Sequence, residues 1–392
     1  MTALTQDTNS DAAQHRACVG QTQTLGGNGE LPALVALCRC ALTGDSYGLA
    51  EAVERVGSPE VFAALVDNAR LWAACEAGFA RAQVPAPPFV TERARTARAQ
   101  AMLVNGRAMG LARVALPCLE QHHIPAIAFK GPFHQSQLYG DWFVRSSNDL
   151  DLLVPQPLFE KALSALESVG FRTRHGNSQW WKFSLGEVHC DYPGGGVVDL
   201  HHRLQQPGCP SPRDPAAFIE AAEIQQLGET AIPVPSLQHA LLISALNFCK
   251  ELFHRKPSAR YAFDFAAGAL RLSSDSRRDF AALVRQQGLE GPVNFTIAAC
   301  ERVFGPLPGL NADTARRSVA AEWAQHGQFA RLVFTPDAPG LRWPRRRALL
   351  WQFCGGEPSA RCSFDFAAQA GRIALGEVLR SAAPQDAAHA VS

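Results

Sequence analysis

Two aspartates separated by one residue stand at the start of an apolar segment, DLDLLV (149–154). Alternate side chains of a β-strand share a face, so Asp149 and Asp151 project together while Leu150 and Leu152 face the other side. The two carboxylates repel each other, and burying either as an anion without compensation is costly. A divalent cation removes both penalties, because Mg²⁺ prefers oxygen ligands and is usually held by carboxylates and phosphate oxygens. The pair therefore predicts a metal site.

A third aspartate stands in a second apolar segment, GVVDLHH (196–202). If this segment is a strand, Asp199 shares a face with His201. If the strand also lies beside 149–154, Asp199 completes a group of three carboxylates around the cation. We expect His201 to pack or hydrogen-bond beside Asp199 in a supporting role.

A turn upstream of the acids has the composition of a phosphate-binding loop. The apolar segment IPAIAF (124–129) ends in Lys130 and Gly131, and a helix-like stretch, PFHQSQLY (132–139), follows. Glycine lets the backbone approach a ligand closely, and a helix N-terminus offers free N–H donors to a phosphate. The order of strand, Lys-Gly, helix, Asp-x-Asp strand and a later third aspartate predicts a combined phosphate and metal site.

The simpler interpretation of the acids is structural. In that interpretation Asp149 caps the end of its strand, Asp151 pairs with Arg145, and Asp199 is a solvated edge residue. An isolated Asp-x-Asp pair would favour it, and the Lys-Gly turn is what favours a site instead. Similarly, we interpret His189 as structural because it lacks metal-ligand spacing. Of Trp180 and Trp181, at most one can face the site, and packing is the simpler role.

Taken together, the segments FKGPFHQSQLYGDWFVRSSNDLDLLV (129–154) and VVDLHHRL (197–204) resemble the signature of the bacterial uncharacterised nucleotidyltransferase family, within the nucleotidyltransferase-fold superfamily. The positions that fall on the signature are Lys130, Gly131, Tyr139, Arg145, Asp149, Asp151, Asp199 and His201. His254 and Asp264 resemble a His…Asp pair of the family's later helices. Pro132 departs from the superfamily, which usually has Gly-Gly or Gly-Ser at this turn, but proline suits a first helical turn.

The resemblance implies transfer of a nucleoside monophosphate from an NTP to an acceptor hydroxyl, with release of pyrophosphate, through two Mg²⁺ (or Mn²⁺) ions. The catalytic and metal-binding residues it implies are Asp149, Asp151 and Asp199. The nucleotide-binding residues it implies are Lys130, Gly131, Arg145 and Ser147, with His201 and Tyr139 in supporting positions. Arg145 would either neutralise the leaving group or pair with a carboxylate that fixes its loop. For Ser147, a phosphate contact and a turn-forming role stay open.

The acceptor is not identified by any motif. A small molecule, peptide or saccharide would suit a tailoring enzyme of a biosynthetic cluster. One alternative is a toxin-like nucleotidyltransferase acting on tRNA or protein, with the arginine-rich segment 342–347 as its docking surface. Another is a non-catalytic module that binds nucleotide without turnover.

The elements around the site predict an α+β fold, with a small mixed-sheet nucleotidyltransferase-fold module flanked by N- and C-terminal helical regions. The expected organisation is a disordered leader (1–30), a helical region (31–123), the α/β core (124–209), a second helical region (210–381) and a tail (382–392). The 392 residues are 47% hydrophobic with a net charge of +1, which excludes general disorder and a chain-wide grip on nucleic acid. Without a signal sequence or an apolar stretch of roughly 20 residues, we expect a cytoplasmic protein with no membrane span.

Overall fold

The computed structural model describes residues 29–173, 186–206, 209–310 and 329–354, together with residues 364, 367, 368 and 371. Trp180 and Trp181 lie outside the described residues, as do the predicted tail and all of the predicted leader except residues 29 and 30. The domain boundaries given above remain predictions. Within the described ranges, no helix combines the length and the apolar character that crossing a membrane would require.

Five helices precede the sheet: α1 (Glu30–Thr43), α2 (Leu49–Glu54), α3 (Pro59–Ala69), α4 (Trp72–Ala82) and α5 (Pro88–Gln121). Local sequence explains where they begin. Ser58 caps α3 by accepting a hydrogen bond from the Val61 N–H, and prolines occupy the first turns of α3 and α5, where their missing N–H groups cost nothing.

The five-stranded sheet is mixed, with the order β1-β2-β5-β4-β3. Its strands are β1 (Ile127–Ala128), β2 (Asp149–Leu153), β3 (Arg172–Thr173), β4 (Glu187–Asp191) and β5 (Val197–His201). Strand β2 runs parallel to β5, and every other pairing is antiparallel. Two helices accompany the sheet: α6 (Gly131–Tyr139) between β1 and β2, and α7 (Phe159–Ser168) after a short 3₁₀ turn at Gln156–Leu158.

The remaining chain is mostly helical. Its helices are α8 (Ala216–Glu220), α9 (Leu237–Phe253), α10 (Ala259–Arg271), α11 (Ser274–Gln287), α12 (Glu290–Phe304), α13 (Phe329–Phe334) and α14 (Arg346–Cys354). The prediction of helices throughout this part was wrong at one place, where β6 (Glu223–Leu227) and β7 (Thr230–Val234) form an antiparallel hairpin. Ile232 and Val234 are buried on alternate positions of β7, the period of a strand.

Two hydrophobic clusters place the site between the sheet and the helices. The leucines at positions 150, 152 and 200 pack into one cluster with the C-terminal half of α5 and with α7. On the opposite face of β2, Leu153 packs into a second cluster, which joins N-terminal helices such as α1 to C-terminal helices such as α9 and α10. Since Asp149 and Asp151 share the face of Leu153, the acids point towards this helical assembly. The predicted α+β class with helical flanks is confirmed.

Candidate active site

Asp151 and Asp199 lie opposite each other across the parallel strands β2 and β5, where their Cα atoms are register partners. Both are nearly buried, with 5% and 8% of their surfaces exposed. Their carboxylate oxygens and a ring nitrogen of His201 all lie within 4.8 Å of one another. The condition set by the sequence, that the third acid should stand on a neighbouring strand, is met.

Asp149 lies two residues before Asp151 on the same face of β2, outside the mutual 4.8 Å group. Burial, followed by the negative charges of Asp151 and Asp199, raises the pKa of Asp149 to about 6, and Lys130 offsets only part of this. The three carboxylates therefore repel one another in the protein alone, which is the condition that a bound cation would relieve.

Asp151 has two compensating partners. Lys130 Nζ lies 2.7 Å from Asp151 Oδ1, and His201 Nε2 lies 3.1 Å from the same oxygen. Burial would raise the pKa of Asp151, but Lys130 and His201 outweigh it and hold that pKa below its usual range. His201 lies beside Asp199 within the 4.8 Å group, and its hydrogen bond crosses to Asp151 on β2. The parallel register places His201 and Asp151 diagonally across the strand pair. The other ring nitrogen of His201, Nδ1, lies 3.6 Å from Glu187.

His189 is a site residue that sequence reasoning missed. It stands opposite Asp199 in the antiparallel pairing of β4 and β5, and its Nδ1 lies 2.5 Å from Asp199 Oδ1. Spacing along the chain gives no sign of this contact, because the hairpin between the strands determines it. The alternation of His189 with the buried Val188 and Cys190 was the available signal.

The Lys-Gly turn packs against the loop that precedes the acids. Gly131 adopts a positive φ of 64° and opens helix α6, with Pro132 in the first turn as expected. A Cβ at Gly131 would lie 3.4 Å from Ser147 Oγ and 3.6 Å from the Asp149 carbonyl oxygen. The structure therefore brings Lys130, Gly131, Ser147 and the carboxylates together.

Arg145 pairs with an acid other than Asp149, Asp151 and Asp199. Its guanidinium forms two hydrogen bonds with Asp264, of 2.7 Å and 2.5 Å, and Tyr139 Oη also donates to Asp264. Asp264 is fully buried on α10. The Arg145–Asp151 pair of the simpler interpretation does not form, and pairing with a carboxylate is the arrangement observed for Arg145. His254, which the resemblance linked with Asp264, lies 2.9 Å from Gln206.

Two buried amides hold the loop that carries Arg145 and Ser147. Asn105 on α5 donates to the carbonyl oxygens of Trp142 and Arg145, at 2.7 Å and 3.0 Å, and accepts from the Ser147 N–H at 2.8 Å. Gln135 on α6 donates to the Arg145 carbonyl oxygen and accepts from the Arg145 N–H. These contacts satisfy the backbone of the loop and fix it beside Asp149.

A polar cavity of about 270 Å³ lies in front of these groups. Four cationic and three anionic side chains line it: Arg70, Lys130, Arg145, Arg260, Asp149, Asp151 and Asp264. His134 also lines it and is nearly buried, with Nε2 bonded to Ser244. Burial lowers the pKa of His134 to about 4, so its ring is neutral, and its Nδ1 has no hydrogen-bond partner among the described residues. A polar ligand would complete this lining.

The arginine-rich segment 342–347 is not among the residues that line this cavity. Within it, Trp343 donates to the Pro336 carbonyl oxygen, and the Arg255 guanidinium lies 5.3 Å from the centre of its ring. Trp343 is therefore engaged by the protein itself.

Comparison with known proteins adds a family match. The model of the family described as "Uncharacterised nucleotidyltransferase" matches residues 58–305. No curated protein matches the chain. The solution structure of the antibiotic-resistance factor ANT(2'')-Ia is 11% identical and aligns over 46% of this chain and 92% of its own, with a TM-score of 0.32. The crystal structure of an antigenic nucleotidyltransferase-like protein from Paracoccidioides brasiliensis is 16% identical and aligns over 48% and 88%, with a TM-score of 0.27.

Proposed function

The chain belongs to the uncharacterised nucleotidyltransferase family, and from this premise we propose that it transfers a nucleoside monophosphate from an NTP to an acceptor hydroxyl, releasing pyrophosphate. The observation that carries the proposal is the pairing of Asp151 with Asp199 across β2 and β5, with the Lys130-Gly131 turn packed against the same strand end. Buried acids beside a phosphate-type turn are the arrangement that metal-dependent phosphoryl chemistry needs.

The residues fit a divalent cation, for which we propose Mg²⁺ (or Mn²⁺). Asp149, Asp151 and Asp199 offer hard oxygen ligands. The raised pKa of Asp149 reflects its burial first and then the charges of the other two acids, which Lys130 offsets only in part. When bound, the cation would neutralise the triphosphate and lower the pKa of the acceptor hydroxyl. His201 would orient the Asp151 carboxylate and His189 that of Asp199, as imidazoles do around metal sites.

The turn would hold the nucleotide's phosphates. Without a ligand, Lys130 Nζ donates a hydrogen bond to Asp151. When a cation also binds the Asp151 carboxylate, Lys130 Nζ would donate to a phosphate oxygen as well. Gly131, at the N-terminus of α6, lines the cavity together with Ser147, so free N–H groups of this helix end would donate to a phosphate there. Arg145 would have a positioning role. It pairs with Asp264, which also accepts from the Tyr139 hydroxyl, and this pair fixes the loop that leads into β2.

For the acceptor we propose the hydroxyl of a small molecule, peptide or saccharide, as in a tailoring enzyme of a biosynthetic cluster. An intact-mass screen tests the proposal: purified protein, Mg²⁺ or Mn²⁺, and each NTP in turn are incubated with acceptor pools of these three kinds. The expected product gains the mass of one nucleotidyl group, that is, a nucleoside monophosphate less one water, and Asp149→Asn and Asp151→Asn abolish it. Asp275→Asn, an exposed acid paired with Arg278, is the matched control. A product that gains only a phosphate, or full activity in both aspartate variants, would overturn the proposal.

A further inference from the structure

Two arginines, one before and one after the α/β module in the sequence, line the cavity that holds the acids. Arg70 ends helix α3, and Arg260 lies in the first turn of α10. Both line the cavity together with Lys130, Asp149 and Asp151. The two helical flanks of the α/β module therefore each contribute one guanidinium to the same space.

Of the four cations that line the cavity, these two carry no carboxylate partner among the residues that the structure describes. Lys130 is paired with Asp151, and Arg145 is paired with Asp264. In the described part of the chain, neither Arg70 nor Arg260 forms an ion pair with an acid. The positive charge that is free to meet an anionic ligand is therefore on Arg70 and Arg260, and not on the arginine that the family resemblance implies.

Both guanidiniums are held by neutral groups. The Arg260 guanidinium lies 4.5 Å from the centre of the Tyr261 ring, and its Nη2 donates to Tyr261 Oη at 3.1 Å. Arg70 Nη1 lies 3.4 Å from the carbonyl oxygen of Ser146, in the loop that leads to Asp149. Contacts of this kind orient a cation and leave its charge unneutralised.

The placement of both arginines works against the stability of the free protein. Arg70 has a positive φ of 54° at the end of α3, where glycine or asparagine is usual. Arg260 puts a positive charge in the first turn of a helix, where the helix dipole opposes it. Partial burial lowers the pKa of Arg70, and the positive charges of Arg260 and Arg145 lower it further, while Tyr261 and Asp149 offset part of this effect. An anion between the guanidiniums would remove their repulsion.

We propose that Arg70 and Arg260 form a clamp that binds the triphosphate of the NTP. Guanidinium groups match phosphate oxygens through paired N–H donors, and the nearby carboxylates would hold the cation that accompanies the triphosphate. The proposal rests on the proposed function for the identity of the ligand. It adds that the helical flanks supply two further contacts to the polyphosphate beside the Lys130-Gly131 turn, while Arg145 only positions its loop.

The test compares affinities for ligands that differ in phosphate number. Mg²⁺–NTP, the corresponding NMP and magnesium tripolyphosphate are titrated calorimetrically into the full-length wild type, Arg70→Gln, Arg260→Gln and Arg260→Lys. Arg271→Gln is the matched control, because Arg271 is exposed at the end of the same helix as Arg260 and does not line the cavity. Thermal unfolding of each variant verifies that the fold is retained.

We expect each glutamine variant to weaken NTP and tripolyphosphate binding by about tenfold or more and NMP binding by less than about threefold, because a charge-assisted contact to phosphate is lost. Arg260→Lys should recover part of the NTP affinity, and Arg271→Gln should bind as the wild type does. Equal losses for NTP and NMP, or no loss in either glutamine variant, would overturn the clamp.

The same titrations separate the clamp from the proposed function. If the wild type transfers nucleotide and the glutamine variants keep its ratio of NTP to NMP affinity, the clamp is wrong and the function stands. If the wild type binds tripolyphosphate through both arginines but transfers nothing from any NTP, the clamp stands and the function is wrong. If the wild type binds neither NTP nor tripolyphosphate, both are wrong.

Discussion

Asp151 and Asp199 occupy register-paired positions on the parallel strands β2 and β5, and both side chains are almost inaccessible to solvent. Among the described residues, Lys130 and His201 bond to Asp151, and His189 bonds to Asp199. The fold thus holds a concentration of negative charge in place before any ligand arrives. Such preorganisation is useful if a cation completes it.

Removing the charge of Asp149 should stabilise the metal-free protein while impairing its activity. The pKa of Asp149 is about 6 in the folded protein, above the ordinary value of 3.8, so the folded state binds a proton at Asp149 more tightly than the unfolded state does. The folded state therefore loses stability as the pH rises from 3.8 to about 6. In the presence of a chelator, Asp149→Asn should therefore be more stable than the wild type at pH 7.5, by about 1–2 kcal/mol after allowance for partial solvent screening. The difference should shrink as the pH falls through that interval and be small near pH 4, close to the unfolded-state pKa. Urea unfolding at both pH values measures this, and equal stabilities at pH 7.5 would contradict it.

Neutralising Asp264 should lower the free energy of unfolding by more than neutralising a surface acid does. Asp264→Asn leaves the Arg145 guanidinium buried without its counter-charge, which typically costs about 3–5 kcal/mol. Tyr139→Phe removes one hydrogen bond to Asp264 and should cost about 1–3 kcal/mol. Asp275→Asn, which breaks the exposed pair with Arg278, should change stability by less than about 1 kcal/mol. Chemical denaturation ranks the three, and an Asp264→Asn variant as stable as the control would refute the structural role of the pair.

Replacing Asn105 should loosen the loop before β2. Its amide satisfies two carbonyl oxygens and the Ser147 N–H, and no water can replace it easily in a fully buried position. Asn105→Ala should therefore cost about 2–4 kcal/mol, and NTP affinity should fall because the loop carries Ser147. Asn68→Ala, at an exposed position of α3, should stay within about 0.5 kcal/mol of the wild type. Similar stability and NTP affinity in both variants would exclude this role for Asn105.

Gly131→Ala should damage the phosphate turn through backbone strain. At a φ of 64° a residue with a Cβ costs about 1–2 kcal/mol, and the nearest atoms, Ser147 Oγ and the Asp149 carbonyl oxygen, leave space without severe overlap. We expect a lower unfolding temperature and weaker NTP binding. Gly106→Ala is the matched control: it lies inside helix α5 with open space around it, so alanine should stabilise the protein by about 0.5–1 kcal/mol. Unchanged NTP affinity in Gly131→Ala would argue against phosphate binding at this turn.

The sequence predicted those parts of the site that lie within one secondary-structure element or in the turn next to it along the chain. A period of two places Asp149 and Asp151 on one face, and a glycine before a helix-like stretch indicates the turn at Gly131. From the sequence, Asp199 could be placed beside the other two acids only on the condition that its strand neighbours 149–154. Spacing along the chain does not determine which strands are neighbours. The parallel pairing of β2 with β5 supplies that condition.

The parts that escaped prediction depend on contacts between distant segments. Arg145 and Asp264 are 119 residues apart, and Arg70 approaches the loop at Ser146 across 76 residues. His189 meets Asp199 only because of the β4–β5 register. The β6–β7 hairpin was also missed, since its first strand, EIQQL, is largely polar and exposed and lacks the apolar alternation of a half-buried strand.

The most direct test of the central claim measures whether Asp151 and Asp199 together hold a metal–nucleotide complex. Mg²⁺ is titrated calorimetrically into the wild type, Asp151→Asn, Asp199→Asn and the control Asp275→Asn, each saturated with a non-hydrolysable NTP analogue. We predict that Asp151→Asn and Asp199→Asn each lower the apparent Mg²⁺ affinity by about tenfold or more, and that Asp275→Asn matches the wild type. Wild-type Mg²⁺ affinity in both Asp151→Asn and Asp199→Asn would contradict the account.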